Sequence, residues 1–248
     1  MTDSFSKIYC ISKREIVSYF TSPLAYVFII IFLILSSFFT FRFGAFFQAN
    51  EASLNNCFFP FHPWLYLLLV PAVAMRLWAE ENRTGTIELL FTMPLRPSEA
   101  VIAKFAAAWL ILLISLVLTF PLPLTVFYLG SPDSGQIFSG YLASFLLSGA
   151  FLSVGSFTSA SSRSQVVSFI FSLVVCLLLI IIGHTAVTDY FRNWAPEWVI
   201  SMLSKLSVMP HYETLRRGVL DLRDIIYFLS VIIFFLFSTT VILNTKKN

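Results

Sequence analysis

Charge is what this chain has least of. Of its 248 residues only 12% are Asp, Glu, Lys or Arg, while 58% are hydrophobic, so there is too little polar surface to cover a soluble globule. Mean hydropathy is +0.84. Cysteine is almost absent, and Cys10, Cys57 and Cys176 stand too far apart for any metal or redox motif. They read as structural thiols. Only three histidines occur, His62, His184 and His211, each expected near an outer membrane face as an interfacial polar residue rather than a ligand. No Gly-x-Ser-x-Gly elbow or His-Glu-x-x-His is present, which removes the usual nucleophile and zinc chemistries. The nearest thing to a phosphate loop, Gly130-Ser-Pro-Asp-Ser-Gly135-Gln136, lacks the Lys and hydroxyl residue of a P-loop. An enzyme is therefore not expected; any nucleotide energy must come from another subunit.

What is present is six long charge-free stretches. A bilayer core is about 30 Å thick and a helix rises about 1.5 Å per residue, so roughly 20 apolar residues cross it. The spacing predicts spans at about 24–43, 58–78, 101–129, 137–160, 166–183 and 225–245. Pro23 suits the first turn of the first span, and Pro121 and Pro123 should kink the third. The first apolar run is too late and too long for a cleaved signal peptide, so it is read as a permanent helix. No carboxylate lies inside the spans, which argues against proton or sodium coupling. A passive pore or a subunit driven by a separate motor remains.

Orientation follows from the basic residues. Lys7, Lys13, Arg14, Arg76, Arg83, Arg96, Lys104, Arg163, Lys246 and Lys247 fall on one side. The other side has Arg42 and the five of the last connection, where Asp189, Glu197, Glu213, Asp221 and Asp224 balance them. Both termini should be cytoplasmic. With its cations scattered, the chain has no nucleic-acid footprint.

The fourth span carries Gly140, Ser144, Ser148, Gly149, Ser153, Gly155 and Ser159, small residues that allow close helix approach in lipid. A tight internal or subunit interface is expected there. At 100° per residue, Phe5, Ile8, Tyr9, Ile16, Tyr19 and Phe20 share an arc opposite Lys7, Arg14 and Ser18. Residues 5–20 thus read as an amphipathic interfacial helix.

The connection between spans two and three is the most distinctive. Arg76, Glu80 and Arg83 at spacings of four and three should hold a helix below the membrane as far as Gly85. A short crossbar with Ile87, Leu89, Leu90 and Phe91 follows, ended by Pro94, and Ser98 is placed to cap the third span with Glu99 in its first turn. Docking into a partner's groove and an ordinary capped loop both fit these residues. In the last connection, Pro210 should break a helix, Tyr212 to Arg217 make a further turn ended by Gly218, and Asp221 or Asp224 cap the last span, with Tyr227 at the interface.

The pattern Glu80-Glu81-x-Arg83-x-Gly85-Thr86-x-Glu88-x-Leu90-x-Thr92-x-Pro94, followed by Lys104, resembles the signature loop of type-2 ABC transporter permeases, nearest the branch that includes the gliding-motility permease and the copper-maturation permease of nitrous-oxide reductase. The resemblance implies that these loop residues couple to an ATPase subunit, that Arg163 in the turn Ser161 to Gln165 makes a second contact, and that Lys7, Lys13 and Arg14 lie on the family's elbow helix. The segment His211, Tyr212, Gly218, Asp221, Asp224 and Tyr227 is similar to the family's external gate, although Tyr212 stands where the family often has Phe.

The expected fold is therefore all-α: one polytopic domain over 1–248 with six transmembrane helices, the interfacial helix, a coupling loop at 79–98 and, within 184–224, a partly re-entrant external hairpin. The expected function is the permease subunit of an ATP-driven exporter in the inner membrane of a bacterium. ATP and Mg would be bound by the partner ATPase, no cofactor or metal by this chain, and a second permease subunit would complete a homodimer or heterodimer. A non-transporting anchor or scaffold is the alternative from another class. The substrate is not written in the residues.

Overall fold

Pro23, with Ser22 in an extended conformation before it, turns the chain out of one helix and into the next. The computed structural model describes residues 2–44, 46, 53–86, 96–183, 198 and 205–247, all of it helix, turn or connection with no strand among the described residues. In chain order the elements are α1 (Thr2–Thr21), α2 (Pro23–Phe38, prolonged by a π-helical turn Phe39–Phe43), α3 (Leu54–Cys57), a 3₁₀ turn (Phe59–Phe61), α4 (His62–Ala74) and α5 (Ala79–Thr84). There follow α6 (Pro97–Val117), α7 (Pro121–Leu129), α8 (Ser134–Ser161), α9 (Gln165–Ile181), α10 (Val208–Arg216) and α11 (Leu222–Lys247).

Five helical runs are long and apolar enough to cross a membrane: Ala25–Phe43, Leu54–Thr84, Pro97–Leu129, Ser134–Ser161 and Leu222–Lys246. Gln165–Ile181 is a shorter apolar helix of 17 residues. The third run breaks where the prolines predict, between Val117 and Pro121. Its start differs from expectation. Arg96, not Ser98, takes the N-cap position: the Arg96 N–H donates to Glu99 Oε2 at 3.1 Å, the Glu99 N–H donates to the Arg96 carbonyl at 2.9 Å, and Pro97 fills the first helical position, where a missing N–H costs nothing. Pro210 likewise sits in the first turn of α10 and helps start that helix instead of breaking one.

Helix α8 is the axis of the bundle. It packs most extensively on α11 and also against α4, α6, α9 and α10. Its small residues explain the closeness: a Cβ added at Gly155 would stand 2.2 Å from Ala74 Cβ, one at Gly140 2.5 Å from the Phe59 ring, and one at Gly149 2.8 Å from the Trp109 indole. Of the two interfaces the sequence allowed, these residues serve the internal one. In lipid, where apolar burial gains nothing, such backbone proximity is what holds helices together.

Candidate coupling site

One end of the bundle gathers the charge that the spans exclude. The run Leu54–Thr84 has 31 residues, well beyond the roughly 20 that a bilayer core needs. Helix α4 ends at Ala74, a turn covers 75–78, and α5 ends at Gly85, whose φ of 73° closes the helix in the left-handed region. Arg83 Nη2 donates to Glu80 Oε1 at 2.7 Å as the spacing predicts, and this bond, above all, holds the Glu80 carboxyl below the usual range. The Arg76–Glu80 pair expected from the sequence is not made. Instead, the N–H groups of Trp78 and Ala79 both donate to Ser159 Oγ at 3.0 Å, and Ser159 Oγ in turn donates to the Met75 carbonyl. A hydroxyl on α8 thus splices α4 to α5.

Asn82 lies at the centre. Its Nδ2 faces the carbonyls of Ser159, Ala160 and Ser162 at 3.4, 3.2 and 3.0 Å. Lys246, at the end of α11, donates from Nζ to Asn82 Oδ1 at 3.2 Å and to the Ala160 carbonyl at 2.6 Å. The last carbonyls of α8, which a helix cannot satisfy internally, are met by an amide and an ammonium from two other elements. Glu80 Oε2 accepts from Gln165 Nε2 at the start of α9.

Lys104 closes the other side of α5. It is 96% buried, donates from Nζ to the Leu77 carbonyl at 3.0 Å and to Glu81 Oε1 at 2.5 Å, and lies 4.8 Å from the Trp78 ring centroid. Glu15 of α1 stands 4.0 Å from the same ammonium, and Ser12 Oγ donates to the Ala103 carbonyl. The inner face of α1 therefore packs on α6 through Ile11, Ser12, Glu15 and Tyr19, a register one step from the aromatic arc expected. Burial, followed by the Glu15 charge, pushes the Tyr19 hydroxyl far above the usual phenol range, so it stays neutral. Lys13 and Arg14 are exposed, Arg14 pairing with Glu15 at 3.2 Å, and Lys7 is half-buried.

Of the expected coupling residues, Glu80, Glu81, Arg83, Gly85 and Thr86 are together here, Thr86 Oγ1 lying 2.9 Å from Thr84 Oγ1. Arg163 is exposed in the turn before α9. Glu88, Leu90, Thr92 and Pro94, with the crossbar's Ile87, Leu89 and Phe91, lie outside the described residues. Asn82, Glu15 and Lys246 were missed: Asn82 occupied an unassigned place in the motif, and the other two are remote in sequence.

The opposite end holds the second cluster. Tyr212 OH donates to the Phe59 carbonyl at 2.8 Å and lies 3.3 Å from Ser144 Oγ, which is 2.6 Å from His62 Nδ1. Burial raises the Tyr212 hydroxyl far above its ordinary range. His62 is fully buried among Phe32, Phe58, Phe59 and Tyr66, which corrects its reading as an interfacial residue. His211 Nδ1 is 2.6 Å from Asp224 Oδ1, its Nε2 is 3.1 Å from the Lys205 carbonyl, and its ring stacks on Tyr227 at 4.0 Å. Tyr227 OH donates to the Leu206 carbonyl at 2.6 Å. Of the two acidic caps allowed by the sequence, Asp221 takes the role, its Oδ1 accepting from the Arg223 N–H at 2.9 Å. Gly218, at φ 96°, turns the chain against Gln136. All six expected outer residues are thus in one region; His184 lies outside the described residues.

A helical bundle with several helices long and apolar enough to cross a membrane is that of a multi-pass membrane protein. The chain belongs to the ABC-2 family of transporter proteins, whose model, described as ABC-2 family transporter protein, matches residues 65–246, well over half of its length. No curated protein matches it. Members of this family are the non-catalytic membrane subunits of transporters and work with an ABC ATPase.

Proposed function

We propose that this chain is the permease subunit of an ATP-driven exporter in a bacterial inner membrane, with Gln165–Ile181 as its sixth span and α1 lying in the cytoplasmic interface. The observation that carries the reading is the convergence on α5. Lys104 of α6, Ser159 of α8, Gln165 of α9 and Lys246 of α11 all reach α5 or the turn that feeds it, and Glu15 of α1 approaches Lys104 from behind. A helix so tied is suited to pass a push to every neighbour as a rigid body. A separate ATPase, holding ATP and Mg, would supply the push through residues 79–98 and the 161–165 turn. A second permease subunit would complete the pathway, and nucleotide would bias the equilibrium between its inward and outward states.

The reading requires both termini and α5 to be cytoplasmic. Cys10 is exposed on α1, whereas Cys57 and Cys176 are buried, so the native protein carries its own reporter. A membrane-impermeant maleimide should label Cys10 in inverted vesicles and leave it untouched in intact cells; labelling from outside would end the proposal. Co-purification with an ATPase, together with nucleotide-dependent substrate movement in liposomes, separates a transporter from a scaffold that only anchors its partner.

A further inference from the structure

A groove of about 810 Å³ opens at the α5 end, between α1, the end of α4, α5 and the start of α9. Seven charged side chains line it, and most are paired within the chain: Glu80 with Arg83, Glu81 with Lys104, and Glu15 with Arg14 from outside the groove, with Lys104 4.0 Å away. Arg76 and Arg163 are the exceptions. Both are exposed, and neither makes an ion pair or a hydrogen bond among the described residues. Two guanidinium groups left without an ion-pair partner on a groove whose carboxylates are paired elsewhere form a receptor for an anion, and their planar donor sets match phosphate oxygens.

The rim says which anion. Val166 lines the groove and begins a row at spacing four along α9, Val166, Ile170, Val174 and Leu178, which therefore shares one face. These four are between 45% and 65% exposed. A soluble phosphate compound has no use for an apolar ridge rising out of its site, and a soluble protein would leave that ridge uncovered. A phospholipid matches both parts.

We infer that the groove seats the headgroup of an anionic phospholipid, Arg76 and Arg163 holding the phosphate and an acyl chain lying along the Val166 to Leu178 ridge. The bound lipid fills the gap between α1 and the foot of α9. Basic pockets at the cytoplasmic ends of spans favour such headgroups over zwitterionic ones.

The test uses the full-length permease alone, without any ATPase, so its outcome is independent of whether an ATPase docks on α5. Purified protein in mild detergent is exchanged with phosphatidylglycerol or phosphatidylcholine, and retained lipid is counted by native mass spectrometry. Phosphatidylglycerol should be retained about tenfold better. That preference should vanish in the double variant Arg76→Gln/Arg163→Gln, and survive in Arg76→Lys/Arg163→Lys and in the outer-end control Arg217→Gln/Arg223→Gln. Arg163→Gln alone, in an exposed turn, serves if the double variant aggregates, and should lower the preference severalfold. Equal retention of the two lipids, or an unaltered preference in the Gln variants, overturns the inference. Displacement of the lipid by millimolar glycerol phosphate would assign the groove to a soluble phosphate compound instead.

Discussion

Lys246 and Asn82 are 164 positions apart in the chain, yet the lysine ammonium donates to the asparagine side-chain oxygen at 3.2 Å. Asn82 is therefore satisfied at both ends of its amide: the nitrogen by the carbonyls closing α8, the oxygen by the helix that closes the bundle. Three of the five spanning-length runs, Leu54–Thr84, Ser134–Ser161 and Leu222–Lys246, thus finish in one hydrogen-bonded knot beside α5.

Replacing Asn82 with Ala should leave the Ser162 carbonyl without its donor and the Lys246 ammonium short of one acceptor. The expected loss is about 1–3 kcal/mol of stability, read as a lower unfolding temperature in detergent. If α5 transmits force, a stalled coupling of ATP hydrolysis to transport should accompany it even where ATPase association persists.

Lys104→Met removes the cation between Glu81 and Glu15 and leaves the charge of Glu81, whose Oε2 already has no partner among the described residues, without its counter-ion. Removing one member of a buried pair costs about 3–5 kcal/mol. Adding Glu81→Gln should recover part of that loss, because the orphaned charge disappears with it. A double-mutant cycle measures the difference, and simple additivity of the two single losses would contradict the pairing.

At Gly155 the helices α8 and α4 touch backbone to side chain, so Gly155→Val should separate them. Overpacking of this kind costs about 1–3 kcal/mol. Ala74→Gly in the same chain should give part of it back, since Ala74 Cβ is the atom in the way; thermal unfolding of the three variants reports the outcome.

Tyr212→Phe deletes the hydroxyl that donates to the Phe59 carbonyl and keeps the ring. About 1 kcal/mol should go, confined to the cluster around Tyr212. Hydrogen exchange within Val208–Arg216 should quicken while α5 exchanges as before; uniform exchange across the chain would show that the hydroxyl does not fasten α10.

Much of this architecture is legible in composition. Spans announce themselves because a charged group is costly in hydrocarbon, and helix ends announce themselves through Pro23, Gly85 and Asp221, whose chemistry is local. What could not be read was long-range. Asn82 is an ordinary polar residue until Ser159, Ala160 and Lys246 surround it, and Glu15 gains its meaning only when α1 is laid on α6 with Lys104 opposite. His62 was misplaced for the same reason: its position near a span end says interface, while Ser144 and four rings make it interior. The Arg76–Glu80 pair failed because the α-helix is interrupted at 75–78, which shifts the register that an i,i+4 pairing needs.

Most of the crossing runs are interrupted: α2 finishes in a π turn, the second run is broken at 75–78 and the third at 118–120, while α9 is short. Among the described residues only α8, with 28 residues, and α11, with 26, run unbroken for more than 21 residues, and they lie against each other. Among the described residues one unbroken helix pair therefore joins the Asn82 knot, through Ala160 and Lys246, to the Tyr212 and His211 cluster, through Ser144 and Asp224, while the other long runs are jointed.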